Sequence, residues 1–132
     1  MTLSRIHLTL ARTTDHPEGD LDHGYDIIAP LKKDGGLDVK AWQRHRDDCT
    51  VHRFAPGEDD ERGHLIHGPR GWVFSYRPGE EDDEPIFRLD THRFCEGDYI
   101  SITEHDGETR PFRVASVRPL SATPRTGRKT SP

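Results

Sequence analysis

The chain has little of what most functional classes require. Of its 132 residues only two are cysteine, Cys49 and Cys95, too few for the disulfide framework of a small secreted scaffold. No apolar run nears the roughly 20 residues that a membrane helix needs, and the longest, Ile27-Ile28-Ala29-Pro30-Leu31, is interrupted by proline. The amino-terminal stretch Met1-Thr2-Leu3-Ser4-Arg5-Ile6 lacks the apolar region of a secretory signal. Together these absences point to a reducing cytoplasm and no membrane partner.

Aliphatic residues are scarce as well. Leu, Ile, Val and Phe number 9, 7, 5 and 5, close to the roughly 20% of the chain below which sequences tend to disorder. The core must therefore be small. Order is expected all the same, because these residues gather in short alternating runs instead of being spread evenly.

Charge divides the chain in two. Beyond Arg118 stand Arg125, Arg128 and Lys129 with no acid, so of the net −5 the body carries −8 and the tail +3. An acidic body repels phosphate backbones unless a local basic face overrides the mean field, and no long block of Lys/Arg precedes the tail. Nucleic acid is thus a disfavoured partner. Residues 119–132 hold three prolines, a glycine and almost nothing to bury, which predicts a single β-rich domain over 1–118 and a disordered basic tail over 119–132.

Within the body the dominant period is two. Ile6, Leu8 and Leu10 alternate with His7, Thr9 and Ala11, placing three aliphatics on one face of a strand over 3–12. A turn-rich loop over 13–24 leads to a second strand, Tyr25–Leu31. From Thr50 the pattern is strand and turn in succession: Thr50–Phe54, His64–His67, Gly71–Arg77, an acidic connection at Glu80–Glu84, and Ile86–Leu89. The Asp106-Gly107 pair supplies a hairpin turn between Asp98–His105 and the run containing Phe112, Val114 and Val117. The shift from even to odd apolar positions between Val114 and Val117 predicts a bulge near Ala115-Ser116, and Pro111 suggests a sheet edge.

One segment departs from this period. Asp38 is placed to cap a helix near residues 38–49, with 39–48 as its body and Ala41, Trp42, His45 and Cys49 on its inner face. The expected fold is mainly β (α+β): a small antiparallel β-barrel or strongly bent sheet of about seven or eight short strands, with the one helix plugging an end.

Nine histidines in so short a chain raise the question of metal, since histidine is the commonest metal ligand. The sharpest arrangement is a zinc site of His45 and Cys49 from the helix with His92 and Cys95 from the loop before the last hairpin. Against it, each pair mixes ligand types where structural zinc sites pair like with like at close spacing. The plainer reading makes Cys49 a buried small hydrophobe and leaves no cofactor to expect. His64 and His67, three apart in a strand, face opposite ways and do not share an ion.

Catalytic patterns are missing. The only local thiol–imidazole pairs are Cys49 with His52 and Cys95 with His92, with nothing to mark an oxyanion hole, and the nucleophile elbow, the phosphate-binding loop and the His-Glu-x2-His motif are all absent. The acidic runs Glu58–Glu61 and Glu80–Glu84 lack the alternating spacing and central glycine of a calcium loop. Trp72, Phe74 and Tyr76 with Arg77 form a possible stacking face for single-stranded nucleic acid, although a chain poor in aliphatics needs such rings inside. The expectation is a non-catalytic binding or interaction module contacting a protein partner or small ligand, with zinc binding and single-stranded nucleic-acid binding as the alternatives.

Overall fold

The computed structural model describes residues 3–68, 71–76, 84–85, 93–104 and 106–120. His92, Arg77, the strand expected over Ile86–Leu89, most of the acidic connection before it and the tail from residue 121 lie outside them. In chain order the elements are β1 (Leu3–Leu10), β2 (Asp20–Pro30), helix α1 (Val39–Arg44), a 3-10 turn (Arg46–Asp48), β3 (Thr50–Phe54), β4 (Glu61–Gly68), β5 (Gly71–Ser75), the two-residue β6 (Glu84–Pro85), β7 (Tyr99–Thr103) and β8 (Thr109–Pro119).

All the strands join one antiparallel sheet in the order β6-β5-β4-β3-β2-β1-β8-β7. It curls strongly into a half-barrel, the bent-sheet form of the expected fold. Among the described residues no helix is long and apolar enough to cross a membrane.

The alternation read from the sequence sets what lies inside. Ile6, Leu8 and Leu10 of β1 meet Tyr25, Ile27 and Ala29 of β2, Leu65 of β4, Trp72 and Phe74 of β5, Ile100 and Ile102 of β7, and Phe112 and Val114 of β8 in one buried cluster. Tyr25 packs against the rings of Phe74 and Phe112 at centroid distances of 5.0 and 5.1 Å. With few aliphatics available, the aromatics supply much of the buried area.

Strand β2 starts five residues before the Tyr25 expected from the apolar pattern. Its first turn of chain, Asp20–Gly24, is polar, yet it pairs with Thr9 and Leu10 of β1. Gly24 makes this possible: a side chain there would run into the Leu8 carbonyl oxygen.

The bulge expected near Ala115 is present. His7 faces Ser116 and Leu8 faces Val114, so Ala115 is the extra residue on β8. Pro111, by contrast, does not mark an edge strand, because β8 lies between β1 and β7. The last paired residue of β1, Leu10, faces Phe112, and the next residue, Ala11, donates its N–H to the Pro111 carbonyl at 3.0 Å, so Pro111 takes the final rung of this ladder, accepting where it cannot donate.

Asp38 caps α1 as expected, its carboxylate accepting from the Ala41 N–H at 3.1 Å. Ala41 and Trp42 are buried, and the Trp42 indole donates to the Leu65 carbonyl at 2.8 Å, fixing the helix to β4. The helix is shorter than the expected 39–48. Backbone at His45 leaves helical geometry (φ −131°, ψ 33°), and the 3-10 turn carries the chain into Cys49 and β3. His45 and Cys49 therefore do not share one helical face.

Candidate functional site

Two polar constellations stand out against this apolar core. The first is inside. Glu104, at the end of β7 and 2% exposed, accepts from the Tyr25 hydroxyl at 2.6 Å, from His23 Nε2 at 3.0 Å, from Arg53 Nε at 3.1 Å and from Arg110 at 2.8 Å. Arg53, 3% exposed, also reaches Glu58 at 2.9 Å and Glu61 at 3.7 Å. Arg110 pairs in addition with Asp106 and Glu108.

Burial by itself would raise the Glu104 carboxyl, but the hydrogen bonds from His23 and Tyr25, joined by the charges of His23 and Arg53, reverse this and hold it at about 2. Both carboxylate oxygens are engaged, Oε1 by His23 and Arg110 and Oε2 by His23, Tyr25 and Arg53. A carboxylate has about four lone-pair sites, so no capacity is left for a substrate proton. The cluster is a clasp joining β2, β3 and the β7–β8 hairpin across the half-barrel.

The second constellation lies on the opposite, outer side of the sheet. Register places His7, Asp26, His52 and Arg62 in one row across β1 to β4. His7 Nδ1 contacts Asp26 at 2.7 Å, and His52 stands between Asp26 at 4.0 Å and Asp60 at 2.8 Å. Next to this row the surface opens into a groove of about 730 Å³, bordered by Arg46 and Asp47 of the 3-10 turn, Thr50 and His52 of β3, Arg62, Gly63, His64 and Ile66 of β4, and Ser75 and Tyr76.

Several features set this groove apart. Ile66 is 37% exposed, an unburied aliphatic in a chain with few to spare. Among the described residues Arg46, Arg62 and His64 have no carboxylate partner, and the Arg46 guanidinium lies 4.8 Å from the Trp42 ring centroid. Gly63 leaves room for the chain to fold back, since a side chain there would strike the Ser75 carbonyl oxygen. The groove holds hydroxyls at Thr50 and Ser75; both ring nitrogens of His52 face carboxylates, whereas His64, which register sets opposite both Thr50 and Ser75, faces none among the described residues.

Cys49 is wholly buried in the core, its thiol pushed up to about 11 by burial and by the neighbouring Asp48 carboxylate; it is no thiolate at neutral pH. Cys95 is exposed on the loop before β7, its Sγ 3.9 Å from the Asp34 carbonyl oxygen. His45 is partly exposed beside Asp48 at 3.7 Å. His92, the fourth residue of the zinc set, lies outside the described residues, and among those described no group of three or more His, Cys, Asp or Glu is arranged to hold a metal.

Of the aromatic strand, Trp72 and Phe74 are core residues, and Tyr76 is partly buried against the core at one end of the groove. Arg77 lies outside the described residues. His64 and His67 do face opposite ways: His64 borders the groove, whereas the His67 ring lies 4.5 Å from Trp72 and 6.0 Å from Trp42.

Sequence reasoning did not single out Arg46, Arg62, His64 and Ile66 as one site. The available signal was the outward set of each strand, Thr50 and His52 on β3 with Arg62, His64 and Ile66 on β4. The pairing of those strands, which brings the two sets together, is not written in either one. No family model, curated protein or solved structure matches the chain.

Proposed function

We propose that this chain is a non-catalytic binding module whose ligand, a small molecule, occupies the groove between the 3-10 turn, β3, β4 and Tyr76. The observation that carries the reading is the groove's size and lining: about 730 Å³ beside an exposed aliphatic. Pockets for small molecules run to roughly 300–1,000 Å³, mostly apolar with a few convergent polar groups. A stable protein partner would call for roughly 800 Å² of contact on each side with an apolar centre, and among the described residues the exposed large hydrophobics Leu21, Ile66, Tyr99 and Leu120 belong to four different elements or ends of elements.

The absence of catalysis from this reading rests on the chemistry of the described side chains. Glu104 is saturated with donors, Cys49 is a buried thiol, and His52 is held on both sides by carboxylates. Among the described residues the His64 imidazole has no carboxylate to orient it as a general base, and the remaining groove groups supply charge, hydroxyls and an apolar contact, which suffice for recognition.

A fragment screen read by amide chemical shifts tests the proposal. Hits should move the amides of Thr50, His52, Arg62, His64 and Ile66 together. Thr50→Trp, which fills the groove with a residue well suited to a strand, should abolish those shifts while leaving the melting temperature within a few degrees of the parent. Hits that map elsewhere, or that survive Thr50→Trp, would overturn the reading.

A further inference from the structure

We infer that the groove's ligand is a small organic anion, its phosphate or carboxylate head met by Arg46, Arg62 and His64 and its apolar part lying against Ile66. This deepens the reading above and rests on it.

The body of the chain is acidic, −8 overall, and arginines that serve the fold are neutralised: Arg53 by Glu58, Glu61 and Glu104, and Arg110 by Glu104, Asp106 and Glu108. Among the described residues Arg46 and Arg62 border the groove with no acid partner, and Asp47 is the one carboxylate in its lining. His52 adds its own two aspartates, Asp26 and Asp60, behind it, and these hold its ring and do not reach the arginines.

A small cationic patch on a negative molecule is a selective arrangement. Extended polyanions are repelled by the surrounding field, whereas a compact anion meets two guanidinium groups whose planar forks suit phosphate and carboxylate oxygens. The stacking of Arg46 on Trp42 keeps that head oriented, so less freedom is lost on binding. Ile66 supplies the apolar contact that a bare inorganic ion would leave unused.

Titration of the full chain with phenyl phosphate, benzoate, benzyl alcohol and benzylamine, followed by the groove amides, tests this. Phenyl phosphate and benzoate should shift Thr50, His52, Arg62 and His64, the tighter of the two identifying the preferred head group, and added salt should weaken both. Arg62→Glu should reduce their affinity roughly tenfold or more and leave the melting temperature unchanged, because Arg62 is exposed and has no ion-pair partner among the described residues. If benzyl alcohol or benzylamine moves the same amides as strongly as the anions, the anionic class is overturned and the groove remains a binding site. If no probe moves them, the binding-site reading itself fails.

Discussion

The Glu104 clasp makes a quantitative demand on stability. A carboxyl held at about 2 in place of its ordinary 4.5 favours the folded state by about 3 kcal/mol, since each tenfold change in proton affinity is worth about 1.4 kcal/mol. The same size follows from structure: removing one member of a buried ion pair costs roughly 3–5 kcal/mol because the partner is left uncompensated, and Arg53 is almost wholly buried beside Glu104. Glu104→Gln keeps the shape, removes the charge, and turns an amide toward donors that expect an acceptor. We expect it to lose about 3 kcal/mol at neutral pH in urea unfolding followed by the fluorescence of Trp42 and Trp72, with a melting temperature lower by about 10–15 °C for a domain of this size. The sign with pH is fixed as well. A carboxyl whose affinity for protons is depressed by folding stabilises above the unfolded value and ceases to do so as pH falls through the folded one. The gap between parent and variant should therefore shrink as pH falls from 4.5 to about 2. A loss below about 1 kcal/mol, or a gap that ignores pH, would refute the account of the clasp.

Two further outcomes follow from the core. With an Ellman reagent at mildly alkaline pH, one of the two cysteines should react rapidly in the native protein and the second only after denaturant, because Cys95 is exposed while the Cys49 thiol is buried and held at about 11; two fast thiols would contradict the placement of Cys49. Gly63→Ala should destabilise by about 2–4 kcal/mol in the same urea assay, since the added carbon meets the Ser75 carbonyl oxygen and comes to 2.7 Å of the Tyr76 Cα, and a change under about 0.5 kcal/mol would show that the chain does not fold back over β4 there.

Local pattern carried most of the fold because period two is imposed residue by residue. Ile6, Leu8 and Leu10 declare their face without reference to anything distant, and the bulge at Ala115 declares itself as a slip in that same period. Asp38 is equally local, a cap whose acceptor finds an amide three residues on. What failed to show was set by partners far along the chain. Asp20–Gly24 is polar and turn-rich, and it becomes strand only because β1 offers it a ladder and Gly24 lets the two backbones close up. The helix ends at His45 although its periodicity runs on, since Cys49 must enter the core at the start of β3. Glu104 looked like one acid among many; nothing nearby reveals that His23 and Tyr25, some 80 residues earlier, turn toward it. The groove is legible for the same reason only afterwards, because it belongs to a face made by two strands and a turn and to no single motif.

The position of β1 in the sheet bears on how the chain reaches this state. Every other pairing joins strands that follow one another, so β2 through β6 zip up as they are made, and β7 and β8 close on a short hairpin. Only β1 must wait, holding one edge bare until the last long strand arrives, with Leu120 finally donating to the Leu3 carbonyl at 2.7 Å. Such a late, distant closure is slow, and an open edge beside Ile6, Leu8 and Leu10 invites pairing with another copy meanwhile. Joining Leu120 to Leu3, which lie side by side, by a short linker and reopening the chain at the Gly57 turn would make the seam a neighbouring hairpin. The final architecture would be unchanged, while its slowest step became one of its first.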